Sequence, residues 1–420
     1  MKLSEQSASR DHAGLLEALA GSERLLVIQD LDGVCMGLVR DPLDRQMDPD
    51  YVLAARRLEG EFMVLTNGEH IGTRGVNGVI ERAFEPATRA AEEGLYLPGL
   101  AAGGVQLQDR FGNVSHPGVS EAELEFLRAV PDKLQAFFRS RLSEAPYALS
   151  TEEVQPLASA AVLDNLVSPT ANLNVFFDAF RGKKDLYGQL QREVAGFVSD
   201  LQAEARAEGL GDAFFVHYAP NLGRDESGQE RLQPATETHS GTHDIQFMLR
   251  GAVKEVGVLV ALNRYYHDQT GSYPLGEGFN AREAPRDHGV LLKLAEERFD
   301  RALMPRIIGV GDTVSSNPNP DGSGDALRGG SDRGFLTLVQ DLGKTFGTDN
   351  AVLFVDSSGG EVTRPSIDVA RLEELGPDET WKALEGITDA KDPLRLSFVF
   401  PEGHVQYTRF FEALADRRKS

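Results

Sequence analysis

The fold is decided by the stretch LLVIQDLDG at residues 25–33, where a continuous apolar run meets two acidic residues and a glycine. A short apolar run without polar alternation is typical of a strand that is buried on both faces, as in a parallel sheet. The polar residues that follow mark the point where the strand ends and the chain turns. The stretch therefore predicts a buried strand whose carboxyl end carries Asp30 and Asp32.

Two further stretches have the same form: residues 62–68 read FMVLTNG, and residues 307–313 read IIGVGDT. Helical patterns accompany the predicted strands, for example at 51–58 and 290–299. Short apolar strands that alternate with helices are typical of an α/β fold, with a parallel sheet covered by helices on both faces. Ligands of such sheets bind beyond the carboxyl ends of the strands. We therefore expect the functional residues directly after these three strands.

The pattern changes near residue 119, after a stretch at 101–114 whose alternation around Gly112 and Asn113 predicts a hairpin. Beyond it, helices and strands alternate irregularly, with helices predicted at 121–129 and 184–207 and strands at 172–177, 213–217 and 244–249. We expect residues 119–248 to form an inserted α+β domain, and residues 1–118 and 249–420 to form the core. The segment 315–331 is rich in Ser, Asn, Pro and Gly and predicts a long loop over the end of the third strand.

Composition excludes several classes of protein. The 420 residues carry 43 Lys and Arg against 65 Asp and Glu, a formal net charge of −22, which would repel nucleic acid and anionic membranes. We therefore expect neither as a partner. The single cysteine, Cys35, cannot form an intrachain disulfide, which favours a reducing, cytoplasmic location. The first residues lack the apolar stretch of a secretory leader, and no run approaches the ~18 apolar residues of a membrane helix.

The pair Asp30 and Asp32 suits phosphoryl transfer. An aspartate at a strand end can act as a nucleophile that forms an aspartyl-phosphate, and a second one two positions on can act as general acid and then general base. Gly33 allows the sharp turn that points both carboxylates into one cavity. Two adjacent carboxylates also suit Mg²⁺, which prefers oxygen ligands. A plain turn after a strand would have the same sequence.

The other strand ends offer complementary groups, although each alone could also be a simple turn. The hydroxyl of Thr66 and the backbone N–H groups of Asn67 and Gly68 could hold phosphoryl oxygens. Asp312 could complete the metal site. Phosphoryl transfer also needs a cation to balance the transition-state charge. Two lysines compete for this role: Lys254 opens a predicted helix, whereas Lys293 lies within one.

The joint order of nucleophile, hydroxyl, lysine and acid resembles the haloacid dehalogenase-like (HAD) phosphohydrolase superfamily over residues 25–118 and 249–313. The resemblance implies a Rossmann-like core, and it implies that the inserted α+β domain is a cap that determines substrate specificity. Longer strings, namely VIQDLDGVCMGLVRDPL, VLTNGEH and IIGVGDTVSSNPNPDGSGDALRGGSDRGF, resemble the glucosylglycerol-phosphate phosphatase family over essentially the whole chain. That family makes a compatible solute for salt tolerance.

The resemblance implies a role for each matching residue. Asp30 would be the nucleophile and Asp32 the general acid and base, while Thr66 and Lys254 would hold the phosphoryl group. Mg²⁺ would be bound by the Asp30 side chain, the Asp32 main-chain carbonyl and Asp312.

The sequence departs from the superfamily pattern at one place. Many members carry a second acid about four residues after the position of Asp312, where this chain has Ser316 followed by Asn317. The alternatives are a weaker Mg²⁺ ligand set with Ser316 or Asn317 in that place, or use of Asp321 or Asp325 from the following loop.

The family resemblance leaves the substrate partly open. A phosphorylated glycosylglycerol is the expected substrate, and the cognate synthase is a possible partner. Trehalose, sucrose or mannosylglycerate phosphate would suit the same core, because specificity resides in the cap. A catalytically silent protein that binds a phosphosugar or a synthase is the remaining alternative, although the four catalytic positions are intact.

Overall fold

A computed structural model describes residues 1–39, 41–219, 221–224, 230–237, 240–251, 253–318 and 326–418. The chain divides into two compact units. The first unit comprises residues 1–70, 75–118 and 252–420, and the second comprises residues 71–74 and 119–251. The second unit thus extends three residues beyond the predicted end of the insertion at 248. It also includes four residues near the end of the second strand, which no sequence pattern indicated.

The strands of both units are numbered in chain order: β1 (Leu25–Gln29), β2 (Phe62–Leu65), β3 (Gly99–Ala101), β4 (Gln106–Gln108), β5 (Val114–Ser115), β6 (Val162–Leu163), β7 (Thr170–Asn172), β8 (Phe214–Ala219), β9 (Asn221–Arg224), β10 (Glu230–Leu232), β11 (Asp244–Leu249), β12 (Arg306–Gly311), β13 (Ser315–Pro318), β14 (Ala326–Gly329), β15 (Ala351–Val355) and β16 (Phe398–Phe400).

The helices follow the same convention: α1 (His12–Ala20), α2 (Pro49–Arg57), α3 (Val76–Ala83), α4 (Arg89–Glu92), α5 (Glu121–Ser143), α6 (Thr151–Ala160), α7 (Asn174–Ala179), α8 (Lys184–Ala207), α9 (Lys254–Thr270), α10 (His288–Arg298), α11 (Arg333–Phe346), α12 (Val369–Glu374) and α13 (His404–Arg418). Short 3₁₀ turns lie at Leu3–Glu5, Pro42–Asp44, Ala102–Gly104, Arg301–Leu303 and Thr380–Ala383. Among the described residues, none of these helices combines the length and the apolar character needed to cross a membrane.

The first unit is built on a sheet in the order β16-β15-β12-β1-β2-β3-β4-β5. Its strands are parallel from β16 to β3, and β4 and β5 continue it as the predicted antiparallel hairpin. All five positions of β1 are buried, as expected for a strand covered on both faces. The predicted α/β core with a parallel sheet is therefore confirmed.

Strand register brings the three predicted strand ends together. β1 lies between β12 and β2, so that Gln29 pairs with Val310 on one side and with Val64 on the other. Because the three strands are parallel, their carboxyl ends meet at one edge of the sheet. The residues that follow them are therefore neighbours in space.

Two helices begin at this same edge. α9 starts at Lys254, and α11 starts at Arg333, directly after Asp332. The buried apolar faces of both helices belong to one hydrophobic cluster with alternate residues of β1 and β12, including Ile28 and Ile307. Burial of this face fixes where the first residue of each helix lies relative to the strand ends.

The second unit contains an antiparallel sheet in the order β6-β7-β11-β8, together with α5 to α8. The predicted helix at 121–129 runs on to Ser143, and the strand predicted at 172–177 is wrong. Asn172 ends β7 and Asn174 begins α7. Phe176 in this helix is fully buried, with its ring 5.0 Å from that of Phe138. Tertiary packing here overrides the strand propensity of a Val-Phe-Phe sequence.

The segment predicted as a loop at 315–331 is also regular in part. β13 and β14 form an antiparallel pair in which Ser315 lies opposite Gly329. Residues 319–325, including Asp321 and Asp325, lie outside the described residues, so their expected role as metal ligands stays a prediction.

Candidate active site

The centre of the site is an ion-paired lysine at the end of β1. Lys254 Nζ lies 2.6 Å from Asp30 Oδ2 and 2.7 Å from Asp332 Oδ1. The three side chains are almost completely buried, with exposed fractions of 4%, 9% and 0%. A buried cation between two carboxylates is held in one place, because leaving either charge unpaired in a dry site costs several kcal/mol.

Asp332 is the residue that sequence reasoning missed. Its Oδ2 accepts hydrogen bonds from the backbone N–H groups of Asp312 and Thr313, both at 3.0 Å. The absence of a side chain at Gly311 makes this approach possible, since a Cβ there would lie 2.7 Å from Asp332 Oδ2. Asp332 therefore orients both the lysine and the end of β12.

Within the described part of the chain, one oxygen of Asp312 has no hydrogen-bond partner. Its Oδ1 accepts a hydrogen bond from Thr313 Oγ1 at 2.8 Å, whereas Oδ2 is buried and accepts none among the described residues. Gly33 lies directly against this oxygen: a Cβ at position 33 would overlap Asp312 Oδ2. An unsatisfied buried carboxylate oxygen is costly, so a ligand at this point would relieve the cost.

Electrostatics favour a cation at this place. Burial raises the pKa of both Asp312 and Asp332, and the nearby Asp30 carboxylate raises each pKa further. Burial lowers the pKa of Lys254, but Asp30 and Asp332 outweigh it, so the pKa of the lysine lies above its usual range. Three acids against one lysine leave an excess of negative charge in a low-dielectric site.

The same three carboxylates satisfy the geometric requirement for a metal ion. One oxygen from each of Asp30, Asp312 and Asp332 lies within 4.8 Å of the others. Hard oxygen donors with excess negative charge fit Mg²⁺. Both oxygens of Asp332 already accept hydrogen bonds, whereas Asp312 Oδ2 accepts none among the described residues, so the geometry favours Asp312 over Asp332 as the direct ligand.

Asp32 lies beside this centre and is paired with an arginine. Arg45 Nε lies 2.9 Å from Asp32 Oδ1, and the Asp32 side chain is 28% exposed. Burial raises the pKa of Asp32, while the charge of Arg45 opposes that rise. Asp32 is thus the more accessible of the two motif acids, as a group that exchanges protons with substrate must be.

The loop after β2 is held by backbone hydrogen bonds. The carbonyl oxygen of Thr66 accepts from Gly103 N at 2.9 Å, and that of Gly68 accepts from Ala102 N at 2.6 Å. The Thr66 hydroxyl accepts from Gly68 N at 3.2 Å and keeps its own proton to donate. Asn67 is exposed at the tip of this loop.

Other sequence candidates lie elsewhere. Lys293 is 76% exposed on α10 and pairs with Glu297 at 3.7 Å, so the structure brings Lys254, not Lys293, to Asp30. Ser316 Oγ donates to Asp389 Oδ2 at 2.5 Å, and Asn317 is exposed in β13. Ser316 thus has a partner outside the acidic cluster, and a metal-binding role for Ser316 or Asn317 stays a prediction. The further acid in the cluster with Asp30 and Asp312 is Asp332, which stands before α11, twenty residues after Asp312.

Known proteins match this chain over nearly its whole length. A family model described as glucosylglycerol-phosphate phosphatase matches residues 24–415. A curated glucosylglycerol-phosphate phosphatase of a Synechocystis species is 52% identical over 420 residues, covering 100% of this chain and 99% of the relative.

Solved structures give more distant matches. The C-terminal domain of Candida albicans trehalose-6-phosphate phosphatase matches with a TM-score of 0.43 and 11% identity, over 98% of each chain. An Aspergillus fumigatus trehalose-6-phosphate phosphatase matches with a TM-score of 0.37 and 9% identity, over 98% of this chain and 99% of the other.

A family model that spans nearly the whole chain, together with a full-length relative at 52% identity, leaves no large segment unaccounted for. The chain belongs to the glucosylglycerol-phosphate phosphatase family of phosphoric monoester hydrolases.

Proposed function

We propose that this chain hydrolyses glucosylglycerol phosphate to glucosylglycerol and inorganic phosphate, by way of an aspartyl-phosphate on Asp30. The observation that carries the chemistry is the contact of Lys254 with Asp30 at the end of β1. The relative at 52% identity supports the substrate. The product would be a neutral compatible solute, and we expect the enzyme to act in the cytoplasm.

The reaction has two steps. A carboxylate oxygen of Asp30 attacks phosphorus, and the bond between phosphorus and the substrate's alkoxide oxygen breaks. Asp32 gives a proton to that oxygen as it leaves. Water then attacks the aspartyl-phosphate, Asp32 takes its proton, and phosphate leaves with Asp30 regenerated.

The remaining residues bind and orient the phosphoryl group. The Thr66 hydroxyl and the N–H groups of Asn67 and Gly68 are its proposed hydrogen-bond donors, with the Gly68 N–H shared between the phosphoryl group and Thr66 Oγ1, its present partner at 3.2 Å. The Lys254 ammonium balances the charge. Mg²⁺, when bound, would neutralise further charge on the phosphoryl oxygens. The side chains of Asp30 and Asp312 and the carbonyl of Asp32 would hold it.

We propose that the second unit selects the substrate. In this proposal the core residues would contact only the phosphate and the bond that breaks, so they would not distinguish one sugar phosphate from another. We propose that the inserted residues 119–248 act as the cap and read the sugar. A cognate synthase as partner stays a prediction.

A substrate panel tests the proposal. Phosphate release is measured with Mg²⁺ on glucosylglycerol phosphate and on trehalose, sucrose and mannosylglycerate phosphates, with a chelator as the metal-free control. We expect the highest kcat/KM for glucosylglycerol phosphate and no turnover with the chelator. A higher value for another sugar phosphate would move the assignment to that substrate. Failure to hydrolyse any phosphomonoester, together with binding to a synthase, would establish the silent-partner alternative.

A further inference from the structure

Arg45 contacts the proposed general acid from a segment that no sequence motif includes. Its Nε lies 2.9 Å from Asp32 Oδ1, and the guanidinium is largely buried, with 11% of the side chain exposed. An arginine N–H can only donate, and arginine does not lose its proton in proteins. A permanent positive charge therefore lies against Asp32 Oδ1.

The backbone of Arg45 is anchored. Asp41 accepts a hydrogen bond from Leu43 N at 2.9 Å, and the 3₁₀ turn at Pro42–Asp44 closes with a bond from Arg45 N to Pro42 O at 3.4 Å. Arg82 on α3 donates to the carbonyl oxygens of Leu43 and Arg45, at 3.5 and 3.3 Å. These bonds fix the origin of the Arg45 side chain against the core.

The other oxygen of Asp32 faces the phosphoryl-binding loop. A Cβ at Gly68 would lie 3.7 Å from Asp32 Oδ2 and 3.7 Å from Thr66 Oγ1. Asp32 Oδ2 and the hydroxyl of the proposed phosphoryl donor Thr66 thus converge on the same small region. An acid that protonates the leaving oxygen must present its proton at that point.

We propose that Arg45 is a positioning residue for protonation of the leaving group. This inference rests on the proposed function, in which Asp32 is the general acid. The charge of Arg45 beside Oδ1 disfavours a proton on that oxygen, so that the proton of Asp32 resides on Oδ2. When the bond between phosphorus and the substrate oxygen breaks, its electron pair stays on that oxygen, which takes the proton from Oδ2. Arg45 neither gains nor loses a proton.

The test uses a series of ring-substituted phenyl phosphates, which differ in leaving-group basicity but lack a sugar. A good leaving group departs without a proton, whereas a poor one needs the general acid. For Arg45→Gln we expect kcat/KM to fall about a hundredfold on the poorest leaving group and less than about fivefold on p-nitrophenyl phosphate. Arg45→Lys retains a donor and should recover part of the loss.

Arg110→Gln is the matched control, because Arg110 is as buried as Arg45 and forms an ion pair with Glu59 at 2.9 Å, away from Asp32. It should leave the leaving-group dependence unchanged, and melting curves identify variants that do not fold. An equal loss on all leaving groups in folded Arg45→Gln, or no loss on any, would overturn the role of Arg45. Full activity of Asp30→Asn would instead overturn the proposed function, so the two failures are distinguishable.

Discussion

Lys254 Nζ lies 2.6 Å from Asp30 Oδ2, although 224 positions separate the two residues in the chain. The contact exists because β1 ends at the same sheet edge at which α9 begins. It joins residues on either side of the inserted stretch 119–251, so both halves of the first unit contribute to the site.

Replacing this lysine should affect both activity and stability. Lys254→Met leaves Asp30 and Asp332 buried without their cation, and we expect about 3–5 kcal/mol less unfolding free energy. Loss of charge balance in the transition state should lower kcat about a thousandfold. Urea denaturation and initial rates measure the two effects. Lys293→Met alters an exposed side chain and should change neither the unfolding free energy nor kcat. Losses in Lys293→Met as large as those in Lys254→Met would contradict the assignment of charge balance to Lys254.

Metal affinity should depend on Asp312. The buried Oδ2 of this residue accepts no hydrogen bond among the described residues, so Asp312→Asn removes its charge from the point that favours a cation. We expect Mg²⁺ binding, measured by titration calorimetry, to weaken about tenfold or more.

Asp356→Asn is the control for that titration. Asp356 follows the neighbouring strand β15, but its two oxygens accept from the backbone N–H groups of Ser358 and Ile367, at 2.9 and 2.7 Å. This variant should lose stability and keep its Mg²⁺ affinity. Equal Mg²⁺ affinity in wild type and Asp312→Asn would remove Asp312 from the proposed metal site.

Replacing Gly33 by alanine should cost more stability than replacing Gly60, a glycine with the same backbone conformation. Gly33 and Gly60 have φ of 79° and 78°, and an alanine in this region costs about 1–2 kcal/mol at either place. A Cβ at Gly60 meets nothing within 4 Å, whereas one at Gly33 overlaps Asp312 Oδ2. Gly33→Ala should therefore lose about 2–4 kcal/mol and at least tenfold in rate. Similar denaturation midpoints for Gly33→Ala and Gly60→Ala would argue against the close approach of position 33 to Asp312.

Sequence patterns located most of this site because strand ends are visible in a sequence. Asp30, Thr66 and Asp312 each follow a continuous apolar run, and parallel pairing brings such positions together without further information. The sequence also pointed to Lys254, because this residue begins a predicted helix.

Asp332 and Arg45 were missed for physical reasons. Asp332 stands before α11, where an aspartate is the ordinary N-cap residue, yet its side chain does not cap its own helix and turns to Lys254 instead. Arg45 lies in a polar turn without periodicity. In both cases the deciding contact is made across the fold, and no local pattern encodes it.

We expect a buried histidine to lower the free energy of unfolding at acid pH. His70 is fully buried, its Nε2–H donates to Gly99 O at 3.2 Å, and its Nδ1 has no partner among the described residues. Burial lowers the pKa of His70 to about 4. Between pH 6.5 and 4 the unfolded chain binds a proton that the folded chain does not, so stability falls as pH falls. From pH 7 to 4.5, wild type should lose about 2–3 kcal/mol more than His70→Gln, as measured by urea denaturation.

His288 provides a control of opposite sign. Burial lowers the pKa of His288, but its bonds with Glu255 and Asp341 outweigh burial and raise it above the usual value. This stabilisation is complete below the unfolded pKa and is lost as pH rises, so His288→Gln should be most destabilising at acid pH. Wild type and His70→Gln losing equal stability on acidification would contradict the assignment to His70.

The most direct test of the account is whether phosphate becomes attached to Asp30. Wild-type enzyme is mixed with glucosylglycerol phosphate labelled in its phosphoryl group, quenched in acid within milliseconds, and digested for peptide mapping. We predict label on the peptide that contains Asp30, and in Asp30→Asn we predict no label and a kcat about a thousandfold lower. Label on another residue, or an Asp30→Asn variant with activity near that of wild type, would contradict the account.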